Sequence, residues 1–155
     1  MKLAEALVLR ADVQKRLLQL RERLRLSALV QEGEQPPEDP QELLRQLNQL
    51  LEQLEGLIIQ INRANMQTRL ADGTILTDAL ARRDILTQRH SILNNLADTA
   101  SNRMDRYGRS EIRKLSTVDV TALRRQMDEI ARDLRELDIQ IQATNWTSEL
   151  PESTD

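Results

Sequence analysis

The chain has 155 residues and a formal charge of −3, with 39% hydrophobic residues, 1% aromatic residues, no phenylalanine and no cysteine. That length suits one domain with a sizeable core, and the core it can bury is aliphatic. The missing cysteine excludes disulfides and any thiolate-held zinc or iron–sulfur centre, while only four glycines and four prolines argue for long helices over a turn-rich sandwich or barrel.

A first helix is predicted over residues 2–31. Leu3, Ala6, Val13, Leu17, Leu20 and Leu24 form a seam that lapses at Arg10, and Ala4, Val8, Ala11 and Leu18 form a second stripe, interrupted by Lys15. Leu26, Leu29 and Val30 add apolar surface near the end. Two stripes imply two sets of neighbours, which makes this either a wide core face or a subunit interface. Gly33 is placed to end the helix, and Pro36-Pro37 stiffens the link that follows.

The second helix is predicted over residues 40–65. Asp39 can cap its free N–H groups, Pro40 suits the first helical position, and Glu42 occupies the capping-box position. Its apolar residues Leu43, Leu47, Leu50, Leu54, Leu57, Ile61 and Ala64 alternate by four and three without a lapse, which places them on one seam of a helix. Leu44, Leu51 and Ile58 recur every seven residues beside that seam and widen it.

Asp72-Gly73 between short β-prone segments marks a small β-hairpin or an ordered loop around residues 68–76. Thr77 is expected to cap a third helix reaching about Ala100, with Ala79, Leu80, Leu86, Leu93, Leu96 and Ala100 among its apolar positions. Residues 101–118 break the pattern and carry a charge of +3. Ser116 with Asp119 then reads as a capping box, with Leu115 and Val120 as its hydrophobic staple. The fourth helix, over residues 117–145, repeats the seam with Val120, Leu123, Met127, Ile130, Leu134, Leu137 and Ile141.

Four long helices joined by short links give an all-α, elongated antiparallel four-helix bundle made of two helical hairpins. The expected organisation is a single domain over residues 1–146 and a polar, acidic tail over 147–155 that frays.

The residues offer little chemistry. A di-metal site in a bundle needs Glu-x-x-His pairs, and the one histidine, His90, follows Thr87 at that spacing. Gly33, Gly56, Gly73 and Gly108 lie too far apart for a phosphate-binding loop. No catalytic, metal or cofactor site is expected, and the chain does not read as an enzyme or as one with an evident small-molecule substrate. Arg103, Arg106, Arg109, Arg113 and Lys114, with Tyr107 among them, form the strongest charge cluster. It either pairs with the acidic 32–39 link, whose charge is −4, or holds an anion or nucleic acid; the pairing is favoured. No segment has the composition of a signal peptide or a membrane span, so the cytoplasm is the expected compartment.

Several segments are similar to a known family. Met1-Lys2-Leu3-Ala4-Glu5-Ala6-Leu7 with Arg10-Ala11-Asp12, then Ile61-Asn62-Arg63, open the match. Arg69-Leu70, Asp72-Gly73, Leu76-Thr77 and Ala79-Leu80-Ala81-Arg82-Arg83-Asp84 continue it. Asp105-Arg106-Tyr107, Ser110-Glu111-Ile112, Ser116-Thr117-Val118-Asp119-Val120 and Thr144-Asn145-Trp146 complete it. In order along the chain, these resemble the septicolysin-like family of small uncharacterised bacterial helical proteins. The resemblance transfers no catalytic residue. It implies a membrane-active, cytolysin-like protein, against which stand the charges along most of every helix; an amphipathic helix on a membrane surface is the form left open.

The residues themselves favour a non-enzymatic scaffold or interaction module that binds itself or another protein. The expected contact residues are Val8, Leu18, Leu26, Leu44, Leu51 and Ile58, the surplus of apolar helix surface.

Overall fold

The computed structural model describes residues 1–101 and 114–151. They form four helices and no sheet: α1 (Leu3–Ser27), α2 (Pro40–Gln67), α3 (Leu76–Ser101) and α4 (Val120–Thr147). The fold is all-α, with the helices packed in pairs. The chain divides into two compact units. One holds Met1–Arg69 with Ala143–Asp155, the other Leu70–Gln142.

In the first unit, α1 and α2 pack as a hairpin. Leu3, Ala6, Val13 and Leu20 of α1 and Leu43, Leu57, Ile61 and Ala64 of α2 are buried, so the seams read from the sequence are the packed faces. Arg10, the lapse in the α1 seam, is half-buried, and its Nε is buried without a hydrogen-bond partner. The start of α2 is built as its residues suggest: Asp39 Oδ1 accepts from Gln41 N at 3.0 Å, and Pro40 opens the helix. Glu42, however, turns away from the cap to accept from Arg45 and Gln46.

The end of α1 differs more. The helix stops at Ser27, before the expected residue 31. Leu29 is 89% exposed, so nothing apolar holds a further turn. Gly33 is not its cap. It sits at φ +88° in the turn where Glu34 N donates to Gln31 O at 2.9 Å, a conformation that glycine adopts without a side-chain clash.

The segment after α4 also departs from expectation. It does not fray through residue 150. Leu3 N donates to Ser148 O and Leu150 N to Met1 O, each at 2.9 Å, and Lys2 and Glu149 form an antiparallel bridge. Lys2 Nζ reaches Glu149 Oε1 at 2.6 Å. The chain thus spends its spare backbone donors on a distant segment.

In the second unit, the turn at Asp72-Gly73 is an ordered loop. Leu70 N donates to Thr74 O, Thr74 N donates to Asp72 Oδ1, and Gly73 has φ +88°. Buried Leu70 and Leu76 flank it. Burial of Leu76 draws it into α3, so Thr77 lies inside the first turn and is not the cap. Arg83 meets Asp138 at 3.7 Å and Asp98 meets Arg124 at 3.8 Å. As the numbers rise along α3 they fall along α4, which makes the pair antiparallel.

Asp119, not Ser116, caps α4, with Oδ1 accepting from Ala122 N at 3.0 Å. Ser116 makes a local turn with Val118 instead. That shifts the helix start by three residues, and Leu115, the expected staple, is 81% exposed. Met127, Ile130 and Ile141 are buried, and the rest of the α4 seam is half-buried.

Candidate interaction surface on the first hairpin

The six expected contact residues fall on two helices of one unit. Val8, Leu18 and Leu26 lie on α1, and Leu44, Leu51 and Ile58 on α2, with exposures between 38% and 67%. Large aliphatic side chains at such exposure forgo roughly two fifths to two thirds of the transfer free energy that full burial would return. Their placement separates the two helices. At about 100° of rotation per residue, Val8, Leu18 and Leu26 sit roughly opposite the buried face of α1. Leu44, Leu51 and Ile58 fall within about 40° of one another and about a quarter turn from the buried seam of α2. Half-buried Leu47 and Leu54 fill the interval. The exposed stripe of α2 is therefore continuous with its core, whereas the apolar residues of α1 stand among charges such as Lys15 and Glu22.

Exposed apolar residues not anticipated from the sequence are Ile59 and Met66 on α2 and Ile85, Ile92 and Ile139 in the second unit. Ile85 and Ile92 carry the same seven-residue spacing that marks Leu44, Leu51 and Ile58, and could have been found by it. Leu96, read as one of the apolar positions of α3, is also exposed.

Between α1 and α2 lies an open cleft of about 350 Å³, where Arg16 and Arg23 face Gln46, Gln49 and Gln53 over Leu20 and Leu50. Both arginines are engaged at the rim. Arg16 Nε meets Asp12 at 2.8 Å, and Arg23 Nε donates to Glu38 Oε2 at 2.9 Å. The Arg23 hydrogen bond holds the Glu38 carboxyl below its ordinary value because it favours the charged form. Glu38, the acid nearest α2 in the 32–39 link apart from the cap itself, is thus occupied within its own hairpin. In the second unit, a smaller cleft of about 180 Å³ is edged by Asp72, Arg82, Asp133 and Glu136. The Asp72 carboxyl is held low chiefly by the Thr74 backbone N–H.

His90 is half-buried on α3, and among the described residues no three His, Asp or Glu side chains converge to hold a metal ion. Of the basic cluster, Lys114 is exposed, and Arg103, Arg106, Arg109 and Arg113 lie outside the described residues. Among the described residues no helix is long and apolar enough to cross a membrane.

The chain is similar to a solved crystal structure of a functionally unknown conserved protein from Corynebacterium diphtheriae. The two are 42% identical over 97% of this chain and 99% of the other, with a TM-score of 0.91. No curated protein matches the chain. Nothing in these matches links it to septicolysin-like proteins or to cytolysins, and the family match overturns that resemblance. With it goes the only ground for a lytic role. Residues 10–150 match the family described as a family of unknown function (DUF6847), and the chain belongs to that family.

Proposed function

We propose that the protein is a non-enzymatic, cytoplasmic scaffold or interaction module that self-associates through the apolar surface of the α1–α2 hairpin. The observation that supports this reading is the stripe of Leu44, Leu51 and Ile58, exposed yet continuous with the core seam of α2. Contiguous apolar surface of this kind marks contact sites more than scattered single residues do, and a seven-residue repeat is the spacing by which helices pair. The two clefts are open and polar, unlike the concave, mostly apolar sites that enclose small ligands. That favours a protein partner over a small molecule.

Light scattering after size exclusion tests the proposal. The expected result is a dimer or larger species that dissociates on dilution. A monomer persisting at the highest attainable concentration overturns it.

A further inference from the structure

We infer that α2 pairs antiparallel with α2 of a second copy of the chain, across a twofold axis passing beside Leu51. This rests on the self-association proposed above and adds its partner surface, direction and register. A twofold interface is self-complementary: whatever one copy presents, the other must accept. The exposed stripe has that property. Leu44 and Ile58 lie seven residues before and after Leu51, about 10.5 Å along the helix at 1.5 Å per residue. An antiparallel copy therefore sets Leu44 against Ile58 of the second copy, Ile58 against its Leu44, and Leu51 against itself.

The flanks of the stripe select the direction. On one side lie Leu47 and Leu54, half-buried and apolar; on the other lie Asn48 and Glu55, exposed and polar. When two helices face each other antiparallel, like flank meets like flank. Leu47 then lies level with Leu54 of the second copy, and Asn48 with its Glu55, each within about 1.5 Å along the axis. The Asn48 side-chain amide is a donor and the Glu55 carboxylate an acceptor, so the two are matched across the axis, twice by symmetry. In a parallel pair, opposite flanks meet, and the Glu55 carboxylate lies against Leu54 of the second copy. Desolvating an ion against an apolar side chain is unfavourable unless it gains a partner. The pattern of the flanks is thus complementary in one direction only.

The absence of cysteine makes the test direct. Single variants Leu51→Cys, Leu44→Cys and Ile58→Cys of the full chain are treated with a short bismaleimide linker, and each sample is also sized by light scattering. Leu51→Cys is expected to link to its own copy. Leu44→Cys alone is expected not to link, because its two copies lie about 21 Å apart along the axis, whereas a mixture of Leu44→Cys and Ile58→Cys links as a heterodimer. A dimer in which Leu51→Cys fails to link, or in which Leu44→Cys links to itself, overturns the antiparallel register and leaves self-association standing. A chain that is monomeric by scattering overturns both.

Discussion

α2 and α3 both carry large aliphatic side chains on their surfaces at seven-residue spacing, and the two surfaces are not equivalent. On α3, Ile85 and Ile92 project about a third of a turn or more away from buried Leu76, Ala79 and Ala97, with Gln88 and Arg89 beside them. Ile92 has one exposed apolar neighbour, Leu96 one turn on, and Ile85 stands among Arg82, Gln88 and Arg89, a solvated face of the kind most proteins tolerate. On α2, Leu44, Leu51 and Ile58 border half-buried Leu47 and Leu54, so the apolar surface runs unbroken from core to solvent. The lesson is that exposure alone does not mark a contact surface. Continuity with buried neighbours does, because a partner placed there extends an existing core and need not build one.

The largest effects should separate core from stripe on the same helix. Ile61 and Leu43 are each 1% exposed, and Ile61→Ala or Leu43→Ala is expected to lower unfolding stability by about 2–5 kcal/mol, read as a drop in the urea midpoint. Leu51→Ala should leave that midpoint nearly unchanged in dilute protein. If Leu51→Ala destabilises the monomer as much as Ile61→Ala does, Leu51 belongs to the core and the distinction fails.

A charge sharpens the contrast between α2 and α3. Leu51→Glu sets two carboxylates against each other at the proposed twofold axis and is expected to weaken self-association at least about tenfold, equivalent to ~1.4 kcal/mol. Ile92→Glu should not change it. Sedimentation of the two variants over a concentration series reads the difference. Equal weakening by both would move the contact surface off α2.

Much of this was legible from the residues, and the reasons for the failures are physical. The seams of α2 and α4 and the Asp39 cap rest on contacts within a few positions, so spacing suffices to find them. At α4 the same kind of signal misled. Ser116 with Asp119 and Asp119 with Ala122 N are competing local starts, and the choice depends on which apolar residues find a core; Leu115 does not and Leu123 does. The end of α1 failed likewise, since Leu29 and Val30 look helical but have nothing to pack against. Pairing of Ser148 and Leu150 with Met1 and Leu3 leaves no side-chain pattern at all, because backbone groups make it. At the candidate surface the stripe was visible as a repeat that widens the seam, yet that it stays exposed while Leu47 and Leu54 beside it are half-buried needed the fold.

Glycine substitutions probe a smaller effect, and its sign should differ between positions. Gly56 lies in the middle of α2, and a Cβ added there meets nothing within 4 Å. Gly56→Ala is expected to stabilise by about 0.5–1 kcal/mol through lower unfolded-state entropy. Gly73 faces equally open space but holds φ +88°, so Gly73→Ala should destabilise by roughly 1–2 kcal/mol because alanine resists that conformation. Thermal midpoints of the two variants should move in opposite directions. Should Gly56→Ala destabilise only the associated form, another chain approaches that face of α2, and the stripe is not the whole contact.

Acid titration should give the smallest effect and can distinguish two ways of tying the first unit together. Glu38 is held below the ordinary glutamate value of 4.5 by the Arg23 hydrogen bond, and Glu149 by hydrogen bonds from Lys2 and then the N-terminal ammonium. A carboxyl with a lower value in the folded state binds fewer protons there than when unfolded. Its stabilisation is therefore complete well above 4.5 and is lost as pH falls through the folded value. Both groups are exposed and screened by solvent, so neither Glu38→Gln nor Glu149→Gln should shift the neutral-pH midpoint much, and each should flatten the acid limb. The amides should differ more than the midpoints. Glu149 guards the backbone pairing between Met1–Leu3 and Ser148–Leu150, whereas Glu38 fastens only the link before α2. Glu149→Gln is expected to speed hydrogen exchange at Leu3 and Leu150 while leaving Gln41 and Leu43 protected, and Glu38→Gln should do the reverse. Exchange that accelerates at all four amides in both variants would mean that the hairpin and the paired termini open as one cooperative unit, and that the two ion pairs guard the same event.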